Sequence, residues 1–171
     1  GSFVWPGGEE AGVDGQVVID AGDLLLDPVM RYVSQPIVLE IRRGTIVSIE
    51  GGGAEGAILR NFIASFNDPR AYAISHIGCG MDANADWTFL AFSPEAAHSV
   101  GADGRCHYGN VLFSLGPNTE LGGSNDTLCH LDIPLRNCSL FLDGEPVVKD
   151  GDVVPSALRS IANPRGGAPC P

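Results

Sequence analysis

Hydrophobic residues in this chain occur mostly in short runs separated by turn residues, a pattern typical of strands. The clearest case is residues 37–50, IVLEIRRGTIVSIE, where two apolar runs flank Arg42-Arg43-Gly44 and predict an antiparallel hairpin. A second hairpin is predicted over residues 138–154, with turns at Asp143-Gly144 and Asp150-Gly151. Shorter strands are predicted over residues 16–20, 71–77, 110–115 and 128–133, and turns or loops over residues 3–15, 101–109 and 116–126.

One segment has the periodicity of an amphipathic helix. Within residues 54–66, the apolar side chains Ile58, Leu59, Phe62, Ile63 and Phe66 recur at helical spacing. A weaker helix is predicted in residues 86–92 or 94–99. The 23 glycines and 12 prolines interrupt any longer helix. The sequence therefore predicts an α+β fold, a strand-rich domain with a mixed or antiparallel sheet, hairpins and one main helix.

Length and composition limit the classes of protein to consider. With 171 residues, 44% of them hydrophobic, the chain fits one folded domain, which we place at residues 1–154 with an irregular tail at 155–171. Ten basic and 21 acidic residues give a net charge of −11, so neither nucleic acid nor a membrane surface is an expected partner. No apolar run of 18 residues and no leader pattern are present, which favours a cytoplasmic location.

The five cysteines, an odd number without a C-x-x-C pair, argue against a disulfide framework or a zinc ribbon. They are expected to be buried, reduced thiols, as in a cytoplasmic protein. Cys129, which lies on the strand face opposite to that of His130, is expected in the core.

The four histidines are the clearest candidates for metal ligands. His98 and His107 fall in a polar loop and are expected to be solvated surface residues. His130 and Asp132 lie two apart on a predicted strand and project from one face. With His76, at the end of another predicted strand, they would complete a 2-His-1-carboxylate metal site. From spacing alone, a simple hydrogen-bonded His-Asp pair is the favoured interpretation.

Four stretches resemble a known superfamily. AISHIGCGMDANADW, GNVLFSLGPNTELGGSNDTLCHLDIPL, SLFLDGEPVVKDGDVV and the early WPGGEEAGVDGQVVID are similar to the C-terminal half of leucyl aminopeptidase T-like proteins. The resemblance is closest to the branch of the 2,5-dihydroxypyridine 5,6-dioxygenases. It extends from about Phe3 to Val154. Its most specific features are Gly122-Gly123-Ser124-Asn125 before His130-Leu131-Asp132, and the strand that ends near His76.

The resemblance implies a non-haem Fe(II) dioxygenase that cleaves an aromatic ring. His76, His130 and Asp132 match the iron ligands of the branch, and Ser114 matches a serine that these dioxygenases place near the metal. Ser114 would orient a substrate oxygen or simply be a small residue packed on its strand. The implied substrates are dioxygen and a small hydroxylated aromatic or N-heteroaromatic ring.

Two features of the resemblance concern completeness. Family members are roughly twice this length, which implies that an N-terminal half has been cleaved, has been deleted or is supplied as a separate chain. The strand edges exposed by its absence would favour a homo-oligomer. Asn125 and the glycines before it are expected to shape the turn that presents His130.

Two other functions remain open. The aminopeptidase branch binds two metals and has glutamate and histidine where this chain has His76 and Leu112, so a hydrolase would need Glu9 or Glu10 as a substitute ligand. Because leucine cannot bind a metal, the sequence favours the single-metal site. The third possibility is a degenerate, non-catalytic binding module.

Overall fold

The computed structural model describes residues 2–4, 12–92 and 101–154, and every structural statement below concerns these residues. The strands are β1 (Ser2–Val4), β2 (Gly15–Ile19), β3 (Leu24–Leu25), β4 (Arg31–Tyr32), β5 (Ile37–Arg42), β6 (Thr45–Gly51), β7 (Ile74–Cys79), β8 (Val111–Leu115), β9 (Leu131–Leu135), β10 (Leu140–Leu142), β11 (Glu145–Lys149) and β12 (Asp152–Val153). The α-helices are α1 (Gly53–Ser65), α2 (Phe89–Phe92) and α3 (Ala102–Cys106), and Pro69–Tyr72 and Thr119–Leu121 form 3₁₀ turns.

The strands form antiparallel sheets, as the sequence predicts. The largest has the order β1-β7-β8-β9, and a second has the order β2-β5-β6. Strands β10, β11 and β12 form a third sheet, and β3 pairs with β4. With one long helix, this is the predicted strand-rich α+β domain.

The predicted hairpins are confirmed, and their turns explain them. Arg43-Gly44 between β5 and β6 has φ angles of 49° and 73°, and Asp143-Gly144 between β10 and β11 has 50° and 83°. Asp150-Gly151 repeats this geometry with 50° and 82°. Positive φ at both central residues fits tight hairpin turns whose twist matches that of the strands, and a glycine at the second position adopts it without strain.

The main core lies between the two larger sheets and helix α1. Alternate residues of the strands point into it, among them Leu39 of β5 and Leu115 of β8, both fully buried. Helix α1 contributes Leu59 and Ile63, which lie one turn apart on its buried face. Cys129 also belongs to this core, as predicted.

The prediction of a strand over residues 128–133 was wrong at both ends. Strand β9 begins at Leu131, so His130 precedes the strand rather than lying within it. The strand also continues through Pro134 to Leu135. A proline is tolerated there because β9 lies at an edge of the described sheet and pairs with β8 on one side.

The strand predicted over residues 71–77 begins and ends later in the structure. Asp68 accepts a hydrogen bond from the Arg70 backbone N–H and starts a 3₁₀ turn at Pro69, which delays β7 to Ile74. Gly78 and Cys79, predicted as a turn, continue the strand.

Two predicted loops contain short regular elements. Residues 3 and 4 were predicted as part of a turn but belong to β1, which pairs with β7. Residues 101–109 were predicted as a loop but contain α3. Elements this short depend on their partners in the fold rather than on local sequence. The alternative helix at 94–99, His98 and the tail at 155–171 lie outside the described residues.

The described cysteines are free thiols with different environments. Cys79 and Cys129 are buried as predicted, but Cys106, at the end of α3, is exposed. In the ranges that the structure covers, no helix has the length and hydropathy that a membrane span requires.

Replacing Leu59 with alanine should destabilise the domain by about 2–5 kcal/mol, because it leaves a cavity between α1 and the sheets. The measurement is urea unfolding followed by circular dichroism. Val47→Ala is the matched control, since Val47 is 59% exposed on β6 and its truncation should cost under about 0.5 kcal/mol. Equal losses in the two variants would contradict this description of the core.

Candidate metal centre

The three predicted metal ligands come together at one end of the largest sheet. His76 lies on β7, Asp132 lies on β9, and His130 immediately precedes β9. The Nε2 atom of His130 lies 3.4 Å from Oδ1 of Asp132, and Nε2 of His76 lies 3.8 Å from the same oxygen. The two imidazole rings have centroids 6.4 Å apart. One carboxylate oxygen therefore lies between two ring nitrogens.

Strand register explains why residues of β7 and β9 meet across the intervening strand β8. Ser114 of β8 pairs directly with Asp132. On the other side, the register shifts between Ile74, opposite Leu115, and Ile77, opposite Phe113. Residues 75 and 76 thus share the place opposite Ser114, which is a β-bulge. Paired residues project from the same face, and the small Ser114 leaves room for the larger side chains on both sides.

Asp132 is the most constrained residue of the site. Its side chain is 8% exposed, and Oδ2 accepts a hydrogen bond of 2.6 Å from Nε of Arg105. Oδ1 is buried and has no hydrogen-bond partner among the described residues. A buried carboxylate oxygen without a partner is unfavourable, and a bound cation would satisfy it.

The electrostatics differ between the three groups. Burial alone would raise the pKa of Asp132, but His130 and Arg105 outweigh burial and hold that pKa well below its ordinary value. Burial lowers the pKa of His76, despite the opposite effect of Asp132. Asp132 raises the pKa of His130 by more than partial burial lowers it. The carboxylate is thus charged and His76 is neutral near pH 7, as ligands of a divalent metal must be.

The three side chains are of the types that bind a divalent metal, but they lie farther apart than the ligands of a bound metal would. Across residues 2–4, 12–92 and 101–154, no group of three or more His, Cys, Asp or Glu side chains is arranged closely enough to hold a metal ion as it stands. Ligand atoms bonded at about 2.1 Å and at right angles lie about 3.0 Å apart. The observed 3.4 and 3.8 Å exceed that spacing by less than 1 Å.

Arg105 is a site residue that the sequence did not reveal. It lies on α3, which packs on β9 where Gly104 lies close to Leu24 and Pro134. The Asn110 side chain fixes the position of α3 by donating to the carbonyl oxygens of Gly104 and Arg105. Arg105 lies 27 residues from Asp132, within a predicted loop, and no local pattern connects the two.

Ser114 lies beside the candidate ligands but is fully buried. Its hydroxyl donates to the carbonyl oxygen of Leu131 at 3.1 Å. The same hydroxyl is also close enough to Asp132 to help hold the pKa of that carboxylate low. Leu112, the position at which the sequence resemblance implied a histidine in aminopeptidases, is buried two residues earlier on the same strand.

The loop before His130 is built around Asn125, as the sequence indicated. The Asn125 side chain donates to the carbonyl oxygens of Gly116 and Arg70, and its backbone N–H donates to the side chain of Asn118. Gly116 has a φ of 108°, and a Cβ there would overlap the Cys129 carbonyl oxygen. The close approach of Gly116 to the chain at Cys129 and His130 therefore requires glycine.

The other predicted candidates lie elsewhere. His107 was expected to be a solvated surface residue, but it is partly buried, with its ring 5.2 Å from that of Trp87 and Nδ1 3.1 Å from the Ala85 carbonyl oxygen. Glu9 and Glu10 lie outside the described residues.

Two histidines and one aspartate that converge on one face of a sheet form the donor set typical of mononuclear non-haem iron oxygenases. Comparison with known proteins points to a dioxygenase. The family model described as NicX, 2,5-dihydroxypyridine 5,6-dioxygenase, matches residues 1–155. The chain belongs to the 2,5-dihydroxypyridine 5,6-dioxygenase family.

A curated relative and a solved structure support this assignment. The chain is 47% identical over 152 residues to the 2,5-dihydroxypyridine 5,6-dioxygenase of Pseudomonas putida, covering 89% of this chain and 42% of the relative. It also matches the solved structure of 2,5-dihydroxypyridine dioxygenase from Pseudomonas putida KT2440, with a TM-score of 0.81 and 45% identity, over 89% of this chain and 43% of that one. The chain thus spans less than half the length of these relatives.

Acid should reduce the stabilising effect of Asp132. Because its pKa is lower in the folded than in the unfolded chain, its ionised form stabilises the fold above the unfolded value of about 3.9, and this contribution is lost as the pH falls towards the folded value. In the presence of a chelator, Asp132→Asn should be less stable than wild type at pH 6. The difference, measured by urea unfolding, should shrink by pH 2.5.

Glu120→Gln, which neutralises an exposed carboxylate, controls for the change in net charge. A difference between wild type and Asp132→Asn that stays constant over this pH range would contradict the proposed electrostatic role.

Proposed function

We propose that this chain carries the metal centre of a ring-cleaving dioxygenase, with a ferrous ion held by His76, His130 and Asp132. The observation that carries the proposal is the buried Oδ1 of Asp132, which has no hydrogen-bond partner in the described part of the chain and lies 3.4 and 3.8 Å from two imidazole nitrogens. Membership of the dioxygenase family supports the assignment of this donor set to iron.

The residues of the chain prepare the site in distinct ways. Arg105 binds Oδ2 of Asp132 and leaves Oδ1 free, which fixes the oxygen that would meet a cation. His76 is neutral near pH 7 and offers a nitrogen lone pair. A ferrous ion in this position would supply open coordination positions and electrons for the reaction of dioxygen with an electron-rich ring.

The site is accessible from the side of His130. The His130 side chain is 54% exposed, in contrast to 13% for His76 and 8% for Asp132. Leu128, two residues before it, is 92% exposed. We place dioxygen and a small hydroxylated aromatic or N-heteroaromatic ring on this open side. A dihydroxypyridine is the first substrate to test, because the relatives bear that name.

Ser114 is proposed to act at the same site through its small size and its position. It lies between His76 and Asp132 in the row of paired residues, and a larger side chain would keep the two apart. The hydrogen bond from its hydroxyl to the Leu131 carbonyl oxygen also fixes the backbone between His130 and Asp132. A direct role in orienting a substrate oxygen would require the hydroxyl to leave that carbonyl.

We propose that the site is completed by residues beyond this sequence. The match covers less than half of each relative, and the open side at His130 and Leu128 is where additional walls would be needed. These walls would come from an N-terminal half, on the same or a separate chain, or from a second subunit of a homo-oligomer. Residues 1–154 would then be the C-terminal metal-binding part of an enzyme whose wider relatives are the leucyl aminopeptidase T-like proteins.

Anaerobic loading should give one iron per chain, measured by metal analysis after gel filtration. His130→Ala and Asp132→Ala should each lose the tightly bound metal, because each removes a ligand. His107→Gln and Glu120→Ala are the matched controls, since neither side chain contacts the three ligands, and both should retain iron.

The same measurement distinguishes the alternative functions. Two zinc or cobalt ions per chain, with release of amino acids from peptides, would indicate the aminopeptidase-like hydrolase. No tightly bound metal in the folded wild type would contradict the proposal and indicate a non-catalytic binding module.

Oxygen uptake with 2,5-dihydroxypyridine should require the missing walls. The iron-loaded chain alone should consume little oxygen, and uptake should appear when the N-terminal segment of the Pseudomonas putida relative is added. The same mixture made with Asp132→Ala is the control and should show none. Full activity of the chain alone would contradict the idea that the site is incomplete.

A further inference from the structure

The bulge in β7 brings two neighbouring side chains into contact. Successive residues of a regular strand point to opposite faces, but Ser75 and His76 share one place opposite Ser114. The Ser75 hydroxyl lies 3.1 Å from Nδ1 of His76 and is fully buried. The ring nitrogen that points away from the candidate metal position is therefore held by its own neighbour in the chain.

Counting protons fixes the direction of this hydrogen bond. The Ser75 hydroxyl donates to the carbonyl oxygen of Pro117 at 2.7 Å. A serine hydroxyl has a single proton, and a carbonyl oxygen can only accept. With that proton committed to Pro117, the contact between Ser75 and His76 is a hydrogen bond only if Nδ1 of His76 carries the proton and donates it to Oγ.

Asp132 competes for the same ring proton but lies too far away. If Nε2 carried the proton, its acceptor would be Oδ1 of Asp132, at 3.8 Å. That distance exceeds the range of a hydrogen bond, whereas the 3.1 Å on the Ser75 side lies within it. The geometry therefore favours a proton on Nδ1 and a lone pair on Nε2.

We propose that Ser75 is a positioning residue, which together with the Pro117 carbonyl holds His76 in the Nδ1–H tautomer so that Nε2 is free to bind the metal. This inference rests on the proposed function, since it assigns Ser75 a role towards the same site. Histidine ligands commonly donate their second N–H to an oxygen acceptor, which fixes the tautomer and the ring orientation. Here the acceptor is itself anchored to the loop that follows β8.

The tautomer can be read directly by long-range ¹H–¹⁵N correlation spectroscopy of the metal-free protein at pH 8, above the ordinary histidine pKa of about 6.5. His76 should show the Nδ1–H pattern in wild type and should shift towards Nε2–H in Ser75→Ala. His107 is the internal control, because its Nδ1 faces the Ala85 carbonyl oxygen and should remain protonated in both proteins. An Nε2–H tautomer of His76 in wild type, or an unchanged tautomer in Ser75→Ala, would overturn the inference.

Metal affinity gives an independent readout. Competition with a chelator for Co²⁺ should show binding about 10- to 100-fold weaker in Ser75→Ala than in wild type. Ser75→Thr, which keeps the hydroxyl, should recover most of the affinity. Wild-type affinity in folded Ser75→Ala would overturn the role of Ser75 while leaving the metal site intact. No Co²⁺ binding by wild type would reject the proposed function, and with it the role of Ser75 in metal binding.

Discussion

The buried carboxylate of Asp132 is the group on which the arrangement of the site depends. Removing a carboxylate from water costs several kcal/mol unless charges and hydrogen bonds compensate. Arg105 compensates at Oδ2 with a bond of 2.6 Å, but it leaves Oδ1 buried and without a hydrogen-bond partner in the described residues. The depressed pKa of Asp132 shows that the surroundings favour the anion, although burial acts against it. The site therefore holds a negative charge that is only partly neutralised by the protein, which suits a divalent cation.

The sheet supplies this arrangement through one irregularity. In a regular antiparallel sheet, Ser75 and His76 would point to opposite faces, and only one of them could join the row of Ser114 and Asp132. The bulge in β7 directs both residues to the site, so the candidate ligand His76 and the acceptor for its second nitrogen come from adjacent positions in the chain. Bulges often serve to redirect side chains near functional sites. The bulge is therefore the reason that two consecutive residues, Ser75 and His76, both contribute to the site.

The sequence revealed the local features of the fold and the site, but not the long-range ones. The hairpin turns at Arg43-Gly44 and Asp143-Gly144 depend on a few neighbouring residues and were predictable. The short spacing of His130 and Asp132 likewise suggested a shared face. That prediction of proximity held even though β9 begins only at Leu131, since Nε2 of His130 lies 3.4 Å from Oδ1 of Asp132.

Arg105 illustrates what the sequence could not show. Its contact with Asp132 requires α3 to pack on β9, and that packing depends on Gly104 and on the bonds made by Asn110, none of which forms a recognisable pattern. Strand β1 was missed for a related reason, since it exists through pairing with β7. The role of Ser75 was hidden in the register shift between β7 and β8, which no sequence periodicity reports.

The two histidines are placed to play unequal parts in metal binding. His76 is largely buried, its pKa is lowered, and a metal would meet an already neutral ring. His130 is more exposed, and Asp132 raises its pKa, so in the metal-free protein a proton competes for the nitrogen that would bind the metal. His76 and Asp132 thus form the enclosed part of the candidate site, and His130 lies on its open side.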